Sequence, residues 1–112
     1  MDLVTQATDL LESLADDLEQ QADELLDIEL NGAILTITLE DECLTQGQFL
    51  LNFHGPTQQL WLSSPVTGAH HFAYDNGQWI CTKSAAEFYD MLERELQQTA
   101  GQNIDIKPVD RE

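Results

Sequence analysis

Carboxylates recur at helical spacing near the start of the chain. Five of them, Asp9, Glu12, Asp16, Glu19 and Asp23, follow one another at intervals of three or four residues. At about 100° per residue of an α-helix they fall within an arc of about 80°, so one face of the helix is acidic throughout. Like charges at this spacing destabilise a helix by roughly 0.2–0.5 kcal/mol per pair. A face that costs stability predicts a function, and its chemistry favours a cation or a basic protein surface as the ligand.

The charge of the whole chain indicates the same classes of partner. Of its 112 residues, 21 are Asp or Glu and 4 are Lys or Arg, which gives a formal net charge of −17 at pH 7. Nucleic-acid phosphates and anionic lipids are poor ligands for such a chain, because binding them depends on basic side chains. Solubility alone is the simplest alternative explanation of the charge. No apolar run approaches the ~20 residues of a membrane span, and no leader segment is recognised, so we expect a soluble protein without membrane contact.

A tryptophan at an outward strand position is the second candidate binding feature. Alternation over residues 58–64 turns two leucines towards the core and turns Gln59 and Trp61 towards solvent. Asn52 and His54 of the preceding predicted strand share that face. Leaving an indole exposed forgoes the free energy of burying it, and Trp is frequent at interface hot spots. A protein interface is the first interpretation; the alternative is that neighbours such as His71 half cover Trp61, which then only stiffens the sheet.

The two cysteines predict neither a disulfide nor a metal site. Cys43 and Cys81 are far apart and lack any CxxC or Cys/His spacing. A reducing compartment is therefore expected. Cys81 follows Trp79 and Ile80, and this apolar stretch is typical of a buried strand rather than of a catalytic thiol.

The hydrophobic pattern predicts an α+β fold over a single domain, residues 1–112. Apolar residues recur with helical period at the start of the chain, with a period of two in the middle, and with helical period again near the end. Asn-Gly turn signals separate the strands. Two helices packed on one face of an antiparallel sheet of about six strands satisfy this order. The predicted elements are a helix at about 3–25, strands at about 27–81, a helix at about 84–100 and a tail at 101–112.

Two local signals refine the end of the chain. Ser84 and Glu87 have the spacing of a capping box, which predicts that Ser84 caps the second helix. In the tail, Ile104, Ile106 and Val109 are expected to fold back onto the core.

A longer motif resembles a known family. Residues 59–68 read Gln-Leu-Trp-Leu-Ser-Ser-Pro-Val-Thr-Gly and are followed by the aromatic residues Phe72 and Tyr74. This stretch resembles the strand-turn-strand signature of the frataxin family, which includes mitochondrial frataxins and the bacterial CyaY proteins. The acidic first helix is also a family trait, and the similarity spans about residues 3–100. It further includes residues 31–37, Asn52, Pro56 and residues 79–81.

The resemblance implies an α-β-α sandwich and a role in iron–sulfur cluster biogenesis. Frataxins bind ferrous and ferric iron weakly, without an organic cofactor, and they modulate sulfur transfer by docking onto a complex of cysteine desulfurase and iron–sulfur scaffold protein. Transferred by position, the metal-binding residues are Asp9, Glu12, Asp16, Asp17, Glu19, Asp23, Glu24, Asp27 and Glu29. The partner-binding residues are Asn52, Gln59, Trp61, Pro65, Gly68 and His71. Animal frataxins usually have an arginine where this chain has His71.

The residues themselves agree with weak iron binding. Iron accepts carboxylate oxygen, and clustered carboxylates supply it without a preformed cage. No triad of two histidines and one carboxylate, no Glu-x-x-His pair and no cysteine cluster is recognised in the sequence. We expect loose, fast-exchanging binding with little discrimination among divalent metals. His54, His70 and His71 are further candidate ligands, but neighbouring strand residues point to opposite faces, so His70 and His71 cannot readily share one ion.

Three functions remain open at this stage. The first is a regulator of cluster assembly that binds iron on the acidic face and partners through Trp61. The second is a ferroxidase that oxidises bound ferrous iron, and the third is an acidic docking module whose metal binding is incidental. A monomer is expected without iron, with iron-dependent oligomerisation open. The expected compartment is the mitochondrial matrix for a eukaryotic source or the cytoplasm for a bacterial one.

Overall fold

Two helices flank a run of six strands. The computed structural model describes residues 2–106. Its elements are α1 (Leu3–Ala22), β1 (Leu26–Asn31), β2 (Ile34–Leu39), β3 (Gly47–His54), β4 (Gln59–Ser64), β5 (Gly68–Asp75), β6 (Gln78–Cys81) and α2 (Phe88–Ala100). The strands pair in chain order, and every neighbouring pair is antiparallel. The predicted six-stranded antiparallel sheet is confirmed.

The core lies between one face of this sheet and the two helices. In the register, Leu51 of β3 pairs with Leu35 of β2 and with Leu62 of β4, and all three are at most 1% exposed. Phe72 of β5 packs edge-on against Phe88 of α2, with ring centroids 5.3 Å apart. α1 contacts β1, β2 and β3, while α2 contacts β6. The helices therefore cover the inner face, and the alternate strand residues point to the outer face.

α1 begins as its sequence predicts but ends three residues early. The side chain of Asp2 caps it by accepting a hydrogen bond from the Thr5 N–H, with 3.1 Å between the atoms. The helix stops at Ala22, and the carbonyl of Leu25 already accepts from the N–H of Glu40 at 2.9 Å. Leu25 therefore already lies beside the sheet. Its hydrogen bond to Glu40 competes with a further helical turn, so the helix ends before it.

α2 begins three residues later than the capping box predicts. Ser84 does not cap it; the side chain of Glu87 does, by accepting from the Asp90 N–H at 3.1 Å. Before the helix, the Ala85 N–H donates to the Cys81 carbonyl at 3.0 Å, and Ala85 has a left-handed φ of 64°. That turn holds the segment against β6 and prevents a helix from starting at Ser84, so the prediction was wrong.

The C-terminal segment folds back onto the core as expected. Ile104 and Ile106 are buried, at 1% and 8% exposure. Gln21 of α1 holds this segment through two hydrogen bonds to the backbone of Asp105. Val109 lies outside the described residues, so its packing stays a prediction. Within residues 2–106, neither helix is long and apolar enough to cross a membrane.

Candidate functional site

A groove of about 460 Å³ lies between α1 and β1. Glu12, Asp16 and Glu19 line it from the helix side, and all three are exposed; we term them the groove acids. Ile28 and Leu30 line it from β1, because alternate residues of that strand face the helix. The groove therefore combines negative charge with an apolar wall. Such a surface suits a hydrated cation, or a basic side chain with a long methylene stem.

Three other predicted metal residues, on α1 or directly after it, lie outside this groove. Asp9 is exposed on the same helix face, one turn before Glu12. Asp23 and Glu24 follow the last turn of the helix and line a separate depression of about 130 Å³ together with Gln102. The acidic face is therefore continuous along the helix, but only its middle part faces β1.

The fold separates three further acids from the groove. Asp27 and Glu29 alternate with the two apolar groove residues of β1, so they point to the outer face of the sheet. Asp17 is half-buried and accepts a hydrogen bond from the Gln21 amide at 3.0 Å, on the side of the helix that holds the C-terminal segment. The nine residues predicted together are thus distributed over several surfaces.

Within residues 2–106, no three His, Cys, Asp or Glu side chains are close enough together to hold a metal ion. The groove acids supply carboxylate oxygen, which suits a hard divalent cation. Such a cation prefers about six oxygen ligands, so an ion bound here would keep water in its coordination shell. The geometry thus fits a loosely held ion rather than a fixed metal centre.

On the outer face, Trp61 is stacked between two histidines. Its ring lies 3.8 Å from that of His54 at an interplanar angle of 13°, and 4.2 Å from that of His71 at 15° (centroid distances). Its indole N–H donates to the side-chain oxygen of Gln59 at 3.0 Å. Asn52 pairs with Trp61 in the β3–β4 register. We term these five residues the Trp61 face; they are all half-buried.

Pro65 and Gly68 lie away from the Trp61 face. Gly68 pairs with Ser64 at the β4–β5 turn, three residue pairs from Trp61 and its partner on β5. At about 3.4 Å per strand residue, the turn is about 10 Å from the indole. Gly68 has a φ of 87°, a conformation that favours glycine. The structure brings four of the six predicted partner residues together and places the other two on a neighbouring turn.

A buried carboxylate that sequence reasoning did not assign to the site holds this turn. Glu95 of α2 is 6% exposed and accepts hydrogen bonds from the hydroxyls of Ser64 at 2.6 Å and Thr67 at 2.9 Å. The Ser64 oxygen in turn accepts from the backbone N–H of Val66 and Thr67. Because the Thr67 hydroxyl donates its proton to Glu95, it accepts from the Nε2–H of His70 at 2.7 Å. The sequence signal that could have identified Glu95 is its position as an acid on the apolar stripe of the second helix.

Both cysteines are buried free thiols with different surroundings. Burial raises the pKa of Cys43, whose Sγ donates to the Leu25 carbonyl at 3.3 Å. Burial also acts to raise the pKa of Cys81, but hydrogen bonds from the Ser84 hydroxyl and from neighbouring backbone N–H groups outweigh it, so that pKa is lowered. The interpretation of Cys81 as a buried strand residue is confirmed.

The sequence and its fold both match a known family. Residues 2–102 match the family described as frataxin-like domain. The chain belongs to the frataxin family. The frataxin-family relatives include the iron-sulfur cluster assembly protein CyaY of Vibrio vulnificus strain YJ016, which is 37% identical over 103 residues, covering 92% of this chain and 90% of the relative. CyaY of Neisseria meningitidis serogroup C strain FAM18 is 34% identical over 101 residues, covering 88% of this chain and 90% of the relative.

Solved frataxin structures have the same architecture. A frataxin from Psychromonas ingrahamii aligns with a TM-score of 0.80 at 24% identity, over 96% of this chain and 99% of the other. A trimeric frataxin from the yeast Saccharomyces cerevisiae, complexed with ferrous iron, aligns with a TM-score of 0.73 at 22% identity, over 91% and 88%. These similarities concern the fold. The predicted frataxin-like sandwich is therefore confirmed.

Proposed function

We propose that this frataxin-family chain acts in iron–sulfur cluster assembly by carrying loosely bound iron and docking onto the cysteine desulfurase–scaffold complex. Its relatives bear the name iron-sulfur cluster assembly protein CyaY. The observation that supports two separate binding surfaces is their position on opposite sides of the sheet. The groove acids lie on its helix-covered side and the Trp61 face lies on its outer side. Iron and a protein partner can therefore be bound at the same time.

The groove supports iron as cargo rather than as a resident cofactor. Its three carboxylates are exposed to solvent, and among residues 2–106 no closed set of ligands surrounds the space between them. Exposed carboxylates bind a divalent ion weakly, because water competes for both partners. Weak binding with fast exchange suits a protein that must give its iron up. The remaining acids of the helix raise the local concentration of cations around the groove.

The outer face supports docking to a protein. The outward positions of β3, β4 and β5 carry no carboxylate between Gln48 and Ala73, in a chain with a net charge of −17. Charge depletion around aromatic residues is typical of the centre of a protein interface. Trp61, at the middle of this region, is the residue type most often found at hot spots.

A specific observation also favours the acidic docking module as a second candidate. Ile28 and Leu30 give the groove an apolar wall, which an iron ion does not need. A lysine or arginine side chain would use it, because its methylene stem packs on apolar surface while its charge meets the groove acids. In this form the groove binds a basic surface of the partner, and metal binding is incidental.

Desulfurase kinetics in the presence of the scaffold test the proposal. We expect Trp61→Ala to abolish the effect of this chain on desulfurase turnover while leaving its ferrous-ion affinity unchanged. Ser63→Ala, on the same strand and face, is the matched control and should behave like the wild type. Unchanged kinetics with Trp61→Ala would contradict the docking role of the outer face.

A second variant separates the two candidates. Neutralising the groove acids as Glu12→Gln, Asp16→Asn and Glu19→Gln should weaken iron binding and leave docking intact if the groove carries iron. If docking affinity itself falls, and if docking of the wild type depends steeply on salt and survives a chelator, the groove is a site for a basic protein surface.

The bacterial sources of the relatives favour a bacterial cytoplasm as the compartment. Sedimentation with and without ferrous ion checks the expected monomer.

A further inference from the structure

The two histidines that enclose Trp61 come from different strands. His71 pairs directly with Trp61 in the β4–β5 register. His54 ends β3, where it pairs with Gln59, so it approaches the indole diagonally from the other side. The ring planes of the stack deviate by only 13° and 15° from parallel. Both faces of the indole are covered by rings, and one of its edges is held by the hydrogen bond to Gln59.

The position of His54 is itself fixed by the turn that follows it. Its Nδ1 forms a hydrogen bond with the Thr57 hydroxyl at 2.8 Å. The turn is closed by the N–H of Gln58, which donates to the carbonyl of Gly55 at 3.1 Å, and the Gln58 amide donates to the same carbonyl at 3.0 Å. The orientation of the imidazole therefore follows from local structure, before any partner binds.

We propose that His54 is a positioning residue for partner docking: it holds the Trp61 indole in its docking rotamer by stacking on it. The inference rests on the docking function proposed above for the Trp61 face. An exposed tryptophan without such support would sample several rotamers and lose that freedom on binding. The stack removes this cost in advance. The stack also gives His54 a role other than that of an iron ligand. The ring of His54 lies against the Trp61 indole and not against a second metal-binding side chain.

The flat ring carries the stacking, and the hydrogen bond of the imidazole to Thr57 only orients it. Phenylalanine retains a flat ring that can stack on the indole, whereas alanine does not. Docking should therefore weaken about five-fold with His54→Ala and by less than about two-fold with His54→Phe. Both variants alter a half-buried side chain outside the core, so both should fold.

Two measurements on the full chain test the proposal. The first follows the indole N–H resonance of Trp61, which is assigned by its loss in Trp61→Phe. This resonance should shift in His54→Ala. It should move far less in His54→Phe, because a stacked ring remains. The second measures binding to the purified desulfurase–scaffold complex by calorimetry, with Ser63→Ala as the control and with melting temperatures recorded for every variant.

The outcomes separate this inference from the function on which it rests. Weak docking by Trp61→Ala and His54→Ala, with recovery in His54→Phe, supports it. Full affinity of His54→Ala beside weak docking by Trp61→Ala would overturn the positioning role alone. Equal weakness of His54→Phe and His54→Ala would also overturn it, since a ring at this position would then not be enough to hold the indole. Full affinity of Trp61→Ala would overturn the docking role of the face and this inference with it.

Discussion

Truncating Glu95 should destabilise the protein more than removing any exposed acid. The carboxylate is 6% exposed and accepts two short hydrogen bonds, from the hydroxyls of Ser64 and Thr67. Hydrogen bonds to a charged group contribute about 1.5–3 kcal/mol each. Relief from burying the carboxylate offsets part of their loss. We therefore expect Glu95→Ala to lower the free energy of unfolding by about 2–4 kcal/mol.

The conservative variant Glu95→Gln should cost less. Its amide retains one acceptor oxygen but presents an NH₂ group to the second hydroxyl. That hydroxyl oxygen already accepts other hydrogen bonds: Ser64 from two backbone N–H groups, or Thr67 from His70. One hydroxyl proton therefore loses its acceptor. A loss of about 1–2 kcal/mol follows.

Urea unfolding followed by circular dichroism measures both changes. Glu42→Gln is the control, because it removes one negative charge from an exposed position in the β2–β3 loop and should be neutral or slightly stabilising. The double variant Ser64→Ala with Glu95→Ala should be less destabilised than the sum of the single variants. If Glu95→Ala stays within about 0.5 kcal/mol of the wild type, the hydrogen bonds do not hold the turn and the reasoning is refuted.

Three further predictions follow from local geometry and charge. Neutralising the groove acids should raise the free energy of unfolding by about 0.5–1 kcal/mol, because like charges three and four residues apart no longer repel each other; a lower melting temperature would contradict this. Gly47→Ala should lower the melting temperature, because Gly47 has a φ of 125° and an added Cβ would lie 2.9 Å from the Cβ of Pro65; an unchanged melting temperature would count against the contact. The thiolate of Cys81 should form at lower pH than that of Cys43, because hydrogen bonds lower the pKa of Cys81 and burial raises the pKa of Cys43. Ultraviolet absorbance of single-cysteine variants checks this order, and the reverse order would show that these thiol environments are misassigned.

The order of elements could be predicted from the sequence because periodicity reports which face each element buries. Leu60 and Leu62 alternate with outward residues, and their burial at 0% and 1% follows from that pattern. Trp61 was predicted on the outer face for the same reason, with His71 as a neighbour. His54 was also predicted on this face, but its stacking on the indole could not be predicted, because it reaches the ring diagonally and only the strand register decides which rings meet.

Helix ends were predicted less well, and the distribution of the acids over several surfaces could not be predicted; both have a physical cause. Ser84 had the sequence of a cap, but a turn anchored to Cys81 leaves the chain non-helical until Phe88. The metal residues were grouped by their charge and family position. Burial of the apolar face of β1 then turned Asp27 and Glu29 away from the groove. Tertiary contacts decide where the second helix begins and which way these acids point, and a local sequence pattern does not report such contacts.

Iron and the protein partner are proposed to use separate surfaces of the sheet, and an amide NMR titration with ferrous ion under anaerobic conditions tests this separation. We expect shifts or broadening at the groove acids, declining along α1 towards its ends, while the indole N–H of Trp61 stays in place. Changes centred on the Trp61 face, or no selective change at the groove at any accessible ferrous concentration, would contradict it.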